Sequence, residues 1–139
     1  MCRIFALYVI ACFALLGCTT RDASYDSLAE VNFQKGWIPK HIPMGASNLK
    51  EVHNLDTGIS ALAFDIPQST TWPLPDDCRP VSAQGAVPNQ FSRSWWPSES
   101  ELASSYSIYQ CMPDGPPDLT YMAISRSRLH GLHWRTYAR

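Results

Sequence analysis

The sequence has no surplus of charge of either sign. Eleven basic and twelve acidic side chains leave a formal net charge of −1. That balance gives no electrostatic footprint for nucleic acid, and no nucleic-acid partner is expected. Charged residues make up only 17% of the chain, while 45% is hydrophobic, a content that supports a folded core and argues against wholesale disorder. Glycine is scarce beside proline, seven against eleven, which points to stiff, irregular connections rather than long helices. No internal repeat is evident, and 139 residues suit one domain. A Gly-x-Ser-x-Gly nucleophile elbow and a Cys-x-x-Cys pair are both missing, so neither serine-hydrolase nor dithiol redox chemistry has its usual sequence support. No cofactor and no metal are implied.

Long apolar runs are also lacking, with one exception at the start. After Met1-Cys2-Arg3, residues Ile4 to Leu16 carry no charged side chain. Thirteen residues at ~1.5 Å rise cover roughly 20 Å, short of the ~30 Å hydrocarbon core. The run reads as the apolar region of an export signal. It closes on Leu15-Leu16-Gly17-Cys18 and gives way to polar Thr19-Thr20-Arg21-Asp22.

Leu15-Leu16-Gly17-Cys18 resembles the lipobox of bacterial prolipoproteins. The resemblance implies diacylglycerol transfer to the Cys18 sulfur, cleavage after Gly17 and acylation of the new amino terminus. A thiol is the nucleophile such transfer needs, and a small Gly17 leaves room at the scissile bond. Leu16 departs mildly from the pattern, where a smaller residue is commoner. Two other readings of the same run are an ordinary export signal cut elsewhere and an uncleaved anchor. The lipoprotein reading divides the chain into a leader over 1–17, a lipidated tether over 18–24 and one periplasmic domain over 25–139. A single fourteen-carbon acyl chain holds a protein only marginally, whereas two or three on one cysteine make release negligible. By the same resemblance Thr19, standing where inner-membrane lipoproteins often carry Asp, favours the outer membrane, with the domain facing the periplasm.

Subtracting the leader simplifies the cysteines. Cys2 and Cys12 leave with it and Cys18 takes lipid, so Cys78 and Cys111 remain as one pair with a single connectivity. In an oxidising compartment a disulfide is the natural reading. It would close a loop of about 33 residues and stabilise by roughly 3–4 kcal/mol.

Along the exported part, Tyr25 to Gln34 has helical spacing, with Gly36 as a stop, and Ser47 to His53 suits two helical turns. Ile59 to Ile66 reads as a strand with Leu62, Phe64 and Ile66 on one face. Residues 67–98 hold six prolines and form a long irregular connection fastened by Cys78 and by Trp95-Trp96. Ser98 and Glu101 fit a capping box opening a short helix. Tyr106 to Cys111 reads as a strand, and Leu119 to Arg126 with Leu132 to Tyr137 as a hairpin through Leu129-His130-Gly131. The expectation is a small α+β domain, a mostly antiparallel sheet with short helices packed on it. Trp37-Ile38-Pro39, Ile42-Pro43, Ala46 and Glu51 through Thr57 are also similar to a segment of about twenty residues in small uncharacterised bacterial lipoproteins, a likeness that supports an autonomous domain and brings no chemistry.

Glu51, His53 and Asp56 are the densest group of potential ligands or acid–base side chains. On a helix 53 and 56 share a face while 51 and 53 do not, so the plainer reading is a structural helix end and turn. Trp95-Trp96 could stack on a sugar or sit at a bilayer interface, or fasten the core. Asp76 and Asp77 are adjacent in an irregular segment and make no glycosidase arrangement. Arg126, Arg128, Arg135 and Arg139 with His130 and His133 could present a basic face to anionic phospholipid or glycan, or protect a strand edge. The functional expectation is a membrane-anchored interaction module contacting an envelope protein or glycan. The alternatives are a small periplasmic enzyme or metal-binding accessory built on Glu51–Asp56, and an immunity-type lipoprotein.

Overall fold

In the computed structural model, which describes residues 19–68, 70, 72–113 and 117–138, seven strands form one antiparallel sheet. The strands are β1 (Thr20–Ser27), β2 (Ser47–Asn54), β3 (Ser60–Asp65), β4 (Arg79–Val81), β5 (Tyr106–Cys111), β6 (Leu119–Ser125) and β7 (His130–Thr136). Their spatial order is β1-β2-β3-β7-β6-β5-β4, so β1 and β4 are the edges. One short helix, α1 (Glu99–Ser105), and two 3-10 turns complete the regular structure among the described residues. Among the described residues no helix is long and apolar enough to cross a membrane.

Both faces of the sheet are covered, and this governs how its strands read. One face packs Leu49, Leu62, Phe64, Met122 and Ile124 beneath Ile38, Ile42 and Trp72. The other packs Val52, Ala61, Tyr121, Leu132 and Trp134 beneath Ala86, Val87, Trp95 and Trp96. The irregular segment 67–98 supplies cover to both sides. Its first part crosses one face as far as Cys78, β4 takes the edge, and the remainder crosses the opposite face. Pro80 is tolerated in β4 because an edge strand leaves N–H positions that need not pair. The indole N–H of Trp134 donates to Val87 O at 2.9 Å and that of Trp72 to His41 O at 2.9 Å, which ties each covering segment down. The Cys78–Cys111 disulfide closes the same connection against β5.

The alternation expected for Ile59–Ile66, Tyr106–Cys111 and the last hairpin is present. Met122 and Ile124 enter one core, Tyr121 and Ala123 the other. The hairpin turn falls at 126–129, and β7 already begins at His130. Gly131 pairs with Phe64, whose ring lies where a Cβ would stand, so only glycine fits beneath it. Ser98 caps α1 by accepting from Glu101 N at 3.2 Å.

Three expectations are corrected. Residues 20–24, read as tether, are the first five residues of β1. Tyr25–Gln34 is not a helix: β1 runs to Ser27, followed by 3-10 turns at Leu28–Glu30 and Phe33–Lys35, the second ending at Gly36 with φ 77°. Leu28, Val31 and Phe33 still pack on the core, which is why their spacing resembled a helical stripe. Ser47–His53 is strand β2. A strand buried on both faces places Leu49 on one side and Val52 on the other, and that pair mimics helical i, i+3 spacing. Asn48, at φ 50°, sits in the register shift between Ser47 and Lys50, a left-handed position that asparagine accepts readily.

Candidate functional site

Because β2 is a strand, positions 51 and 53 face the same way, the reverse of the helical expectation. Strand register then builds two rows across the sheet. Arg21, His53, Ser60, Arg135, Thr120 and Cys111 form one; Ala23, Glu51, Leu62, His133, Met122 and Tyr109 form the next. Polar groups therefore lie beside an apolar core on one face.

Trp37, from the segment after the second 3-10 turn, roofs the first row. Its ring stacks on the His53 ring, 4.0 Å between centroids and 7° between planes. The Arg135 guanidinium stands 5.5 Å from the Trp37 ring centroid, within cation–π range, and its Nε donates to Ser60 Oγ at 3.2 Å. Beneath this roof Glu51 Oε1 lies 2.6 Å from His53 Nδ1. Glu51 is 2% exposed. Burial, reinforced by the negative charge of Asp22, pushes its carboxyl up from 4.5 to about 8. Burial also lowers His53, helped by the positive charges of Arg21 and Arg135. Although the distance is that of an ion pair, both directions favour a neutral pair, with the Glu51 carboxylic acid donating to the imidazole nitrogen.

A cleft of about 130 Å3 adjoins this pair, lined by Trp37, His41, Thr120, His133 and Arg135 with Gly36, Pro39, Pro75, Asp77, Cys111 and Met112. His133 is 5% exposed, and its Nδ1 has no hydrogen-bond partner. Burial holds this imidazole neutral, its pKa pushed down from 6.5 to about 3, with His41 and Arg135 acting in the same direction. The His41 ring meets it edge-on at 6.1 Å. Glu51 and His53 do not line the cleft, whereas Trp37, stacked on His53, does.

The other singled-out residues are dispersed. Asp56 lies exposed in the turn after β2, where Asn54 Oδ1 accepts from Asp56 N and Thr57 N. It does not join Glu51 and His53, and among the described residues no three His, Cys, Asp or Glu side chains stand together as metal ligands. Trp95 and Trp96 are on the opposite face, with Trp96 edge-on to Trp134 at 5.6 Å; they fasten the core. The basic residues split. Arg126 and Arg128 are exposed at the hairpin turn, Arg135 is in the site, His133 is buried, and Arg139 lies outside the described residues. Cys18 and the residues before it also lie outside them. The sequence marks Arg135 and His133 only as part of a basic face and Trp37 only within a resembling segment; strand pairing brings Arg135 and His133 to Glu51 and His53, and Trp37 stacks on His53 from the covering segment.

The chain is similar to the YbbD head domain over residues 19–65. The match is about a third of the chain. It starts one residue after Cys18 and ends with β3, so it spans β1–β3, with Glu51 and His53 on β2, and the covering segment that carries Trp37. No curated protein and no solved structure matches the chain.

Proposed function

We propose that the protein is a bacterial envelope lipoprotein, anchored through lipid on Cys18, whose folded domain binds an envelope component rather than catalysing a reaction. The observation that carries the anchoring is the partition of its sulfur. Cys78 and Cys111 are joined to each other, so the processed chain keeps Cys18 as its one unbridged thiol, at the end of the apolar leader and two residues before β1. A disulfide also suits an oxidising compartment. The similarity to a domain family from residue 19 onward supports a folded unit that starts immediately after that cysteine.

Binding is favoured over catalysis by the placement of the acid–base pair. The raised pKa of Glu51 is the kind of perturbation found at active sites, and it is what favours the enzyme alternative. Yet a general acid must reach the substrate proton within hydrogen-bond distance. Glu51 is buried and its partner His53 lies flat under Trp37, so the pair stiffens the roof instead of facing the cleft. The reachable groups are Trp37, His41, Thr120 and Arg135, suited to holding a polar side chain or a sugar. The cleft is smaller than the ~300 Å3 where small-molecule sites usually begin. A protein or glycan of the envelope, seating one group there, fits that size.

Membrane fractionation of Cys18→Ser tests the anchoring. The variant should be soluble or unprocessed; an unchanged membrane fraction and gel mobility would refute it. For the cleft, Arg135→Ala should abolish capture of an envelope component that His53→Ala merely weakens through stability.

A further inference from the structure

We propose that one end of the sheet lies flat on the bilayer, with Leu55, Met112 and Tyr137 as its contacts with zwitterionic phospholipid. This rests on the lipid at Cys18 and adds an orientation to it. Thr19 is already fixed to the sheet: its carbonyl accepts from Leu55 N at 2.7 Å, and Asn54 Nδ2 donates to Thr19 Oγ1 and Thr20 Oγ1, both at 3.3 Å. Cys18 is one peptide unit away, about 3.8 Å from Cα to Cα. The five residues that a tether would use are instead paired in β1. A lipid on Cys18 therefore draws this corner of the sheet to the headgroups with almost no slack.

That end is where β1, β3 and β6 begin and β2, β5 and β7 finish. Of the four large apolar side chains that are exposed among the described residues, three sit there: Leu55 at 49%, Met112 at 67% and Tyr137 at 40%. The fourth, Met44, precedes β2 at the opposite end. Leu55 follows β2, Tyr137 follows β7 and Met112 follows β5, so strand spacing spreads the three over roughly 20 Å. The three are thus spaced along one end of the sheet. Tyr137 is held by its hydroxyl, which donates to Thr57 O at 2.7 Å, and Met112 by its N–H to Asp77 Oδ2 at 3.1 Å. A phenol and two aliphatic chains at one end suit the headgroup boundary.

Charge selects the lipid. Asp56, Asp76, Asp77 and Asp118 are exposed at this end against Arg21 and Arg79, while Arg126 and Arg128 occupy the turn at the far end. An anionic surface would repel the anchored end. The contact is thus apolar and zwitterionic, and insensitive to salt. Met112 and Asp77 also line the cleft, which puts its mouth at headgroup level.

The test is hydrogen exchange on the full lipoprotein in phosphatidylcholine nanodiscs, compared with the soluble Cys18→Ser protein, with the intact mass of each sample recorded. Exchange in the turn 54–58 and at residues 112 and 137 should slow by roughly an order of magnitude, with 126–129 unchanged. Leu55→Asp together with Tyr137→Asp should remove the protection while the lipidated mass stays. Lipidated protein protected only at 126–129, or nowhere, overturns the orientation and leaves the anchor standing. A mass without lipid overturns both.

Discussion

The Trp37 indole lies flat on the His53 imidazole, and His53 in turn holds the buried Glu51 carboxyl at 2.6 Å. A half-buried indole, a neutral imidazole and a protonated acid thus follow one another from the surface into the core. Removing the top should wet everything beneath. Trp37→Ala is expected to cost about 2 kcal/mol, less than the 3–5 typical of a fully buried aromatic because Trp37 is only half-buried. Urea unfolding measures it, and Trp37→Phe should recover most of the loss. An alanine variant as stable as the parent would mean the roof is ornamental.

Stability should have a broad maximum between about pH 4.5 and 6.5. Glu51 is raised from 4.5 to about 8, so the folded state keeps a proton that the unfolded chain has released, and stability falls as pH rises through that window. His133 is lowered from 6.5 to about 3, so the unfolded chain takes up a proton the folded state refuses, and stability falls as pH drops through that window. The lowered His53 adds to the acid side. Between 4.5 and 6.5 the two slopes oppose; outside, each acts alone at up to about 1.4 kcal/mol per pH unit. Denaturant midpoints from pH 3 to 9 check this. Glu51→Gln should flatten the alkaline limb and turn the plateau into a continued rise up to about pH 6.5, where His133 then acts unopposed, and a profile identical to the parent's would contradict the buried acid.

The Cys78–Cys111 bridge joins the covering segment to β5 and closes 33 residues. Its loss should lower stability by about 3–4 kcal/mol on the loop-entropy model. The comparison is Cys78→Ser with Cys111→Ser against oxidised parent, by urea midpoint. An unchanged midpoint, or two titratable thiols in the mature oxidised protein, would show that the bridge does not hold the fold.

Where local pattern and final environment agree, the fold was legible. β5 and the β6–β7 hairpin alternate visibly because one core takes Met122 and Ile124 and the other Tyr121, Ala123 and Trp134. The lone cysteine pair after Cys18 admitted one bridge. β1 was not legible, because an edge strand guarded by Arg21, Asp22 and Asp26 has the composition of a tether. β2 was misread because it buries Leu49 and Val52 on opposite faces while two polar residues, Glu51 and His53, satisfy each other between them. The same two residues stood out as the densest polar cluster, but their geometry was inverted by the helical reading. His133 and Arg135 join them through pairings between β2, β3 and β7, and Trp37 by stacking on His53 from the covering segment, relations no local spacing encodes.

Lipid on Cys18 is the claim from which compartment, orientation and partner class descend, and intact-mass spectrometry of protein extracted from the membranes of the producing cell reads it directly. Lipidation predicts a chain that starts at residue 18, carries two or three acyl chains on its first residue and keeps the bridged pair oxidised. A native protein that still has Met1 and the mass of the unmodified polypeptide would contradict it.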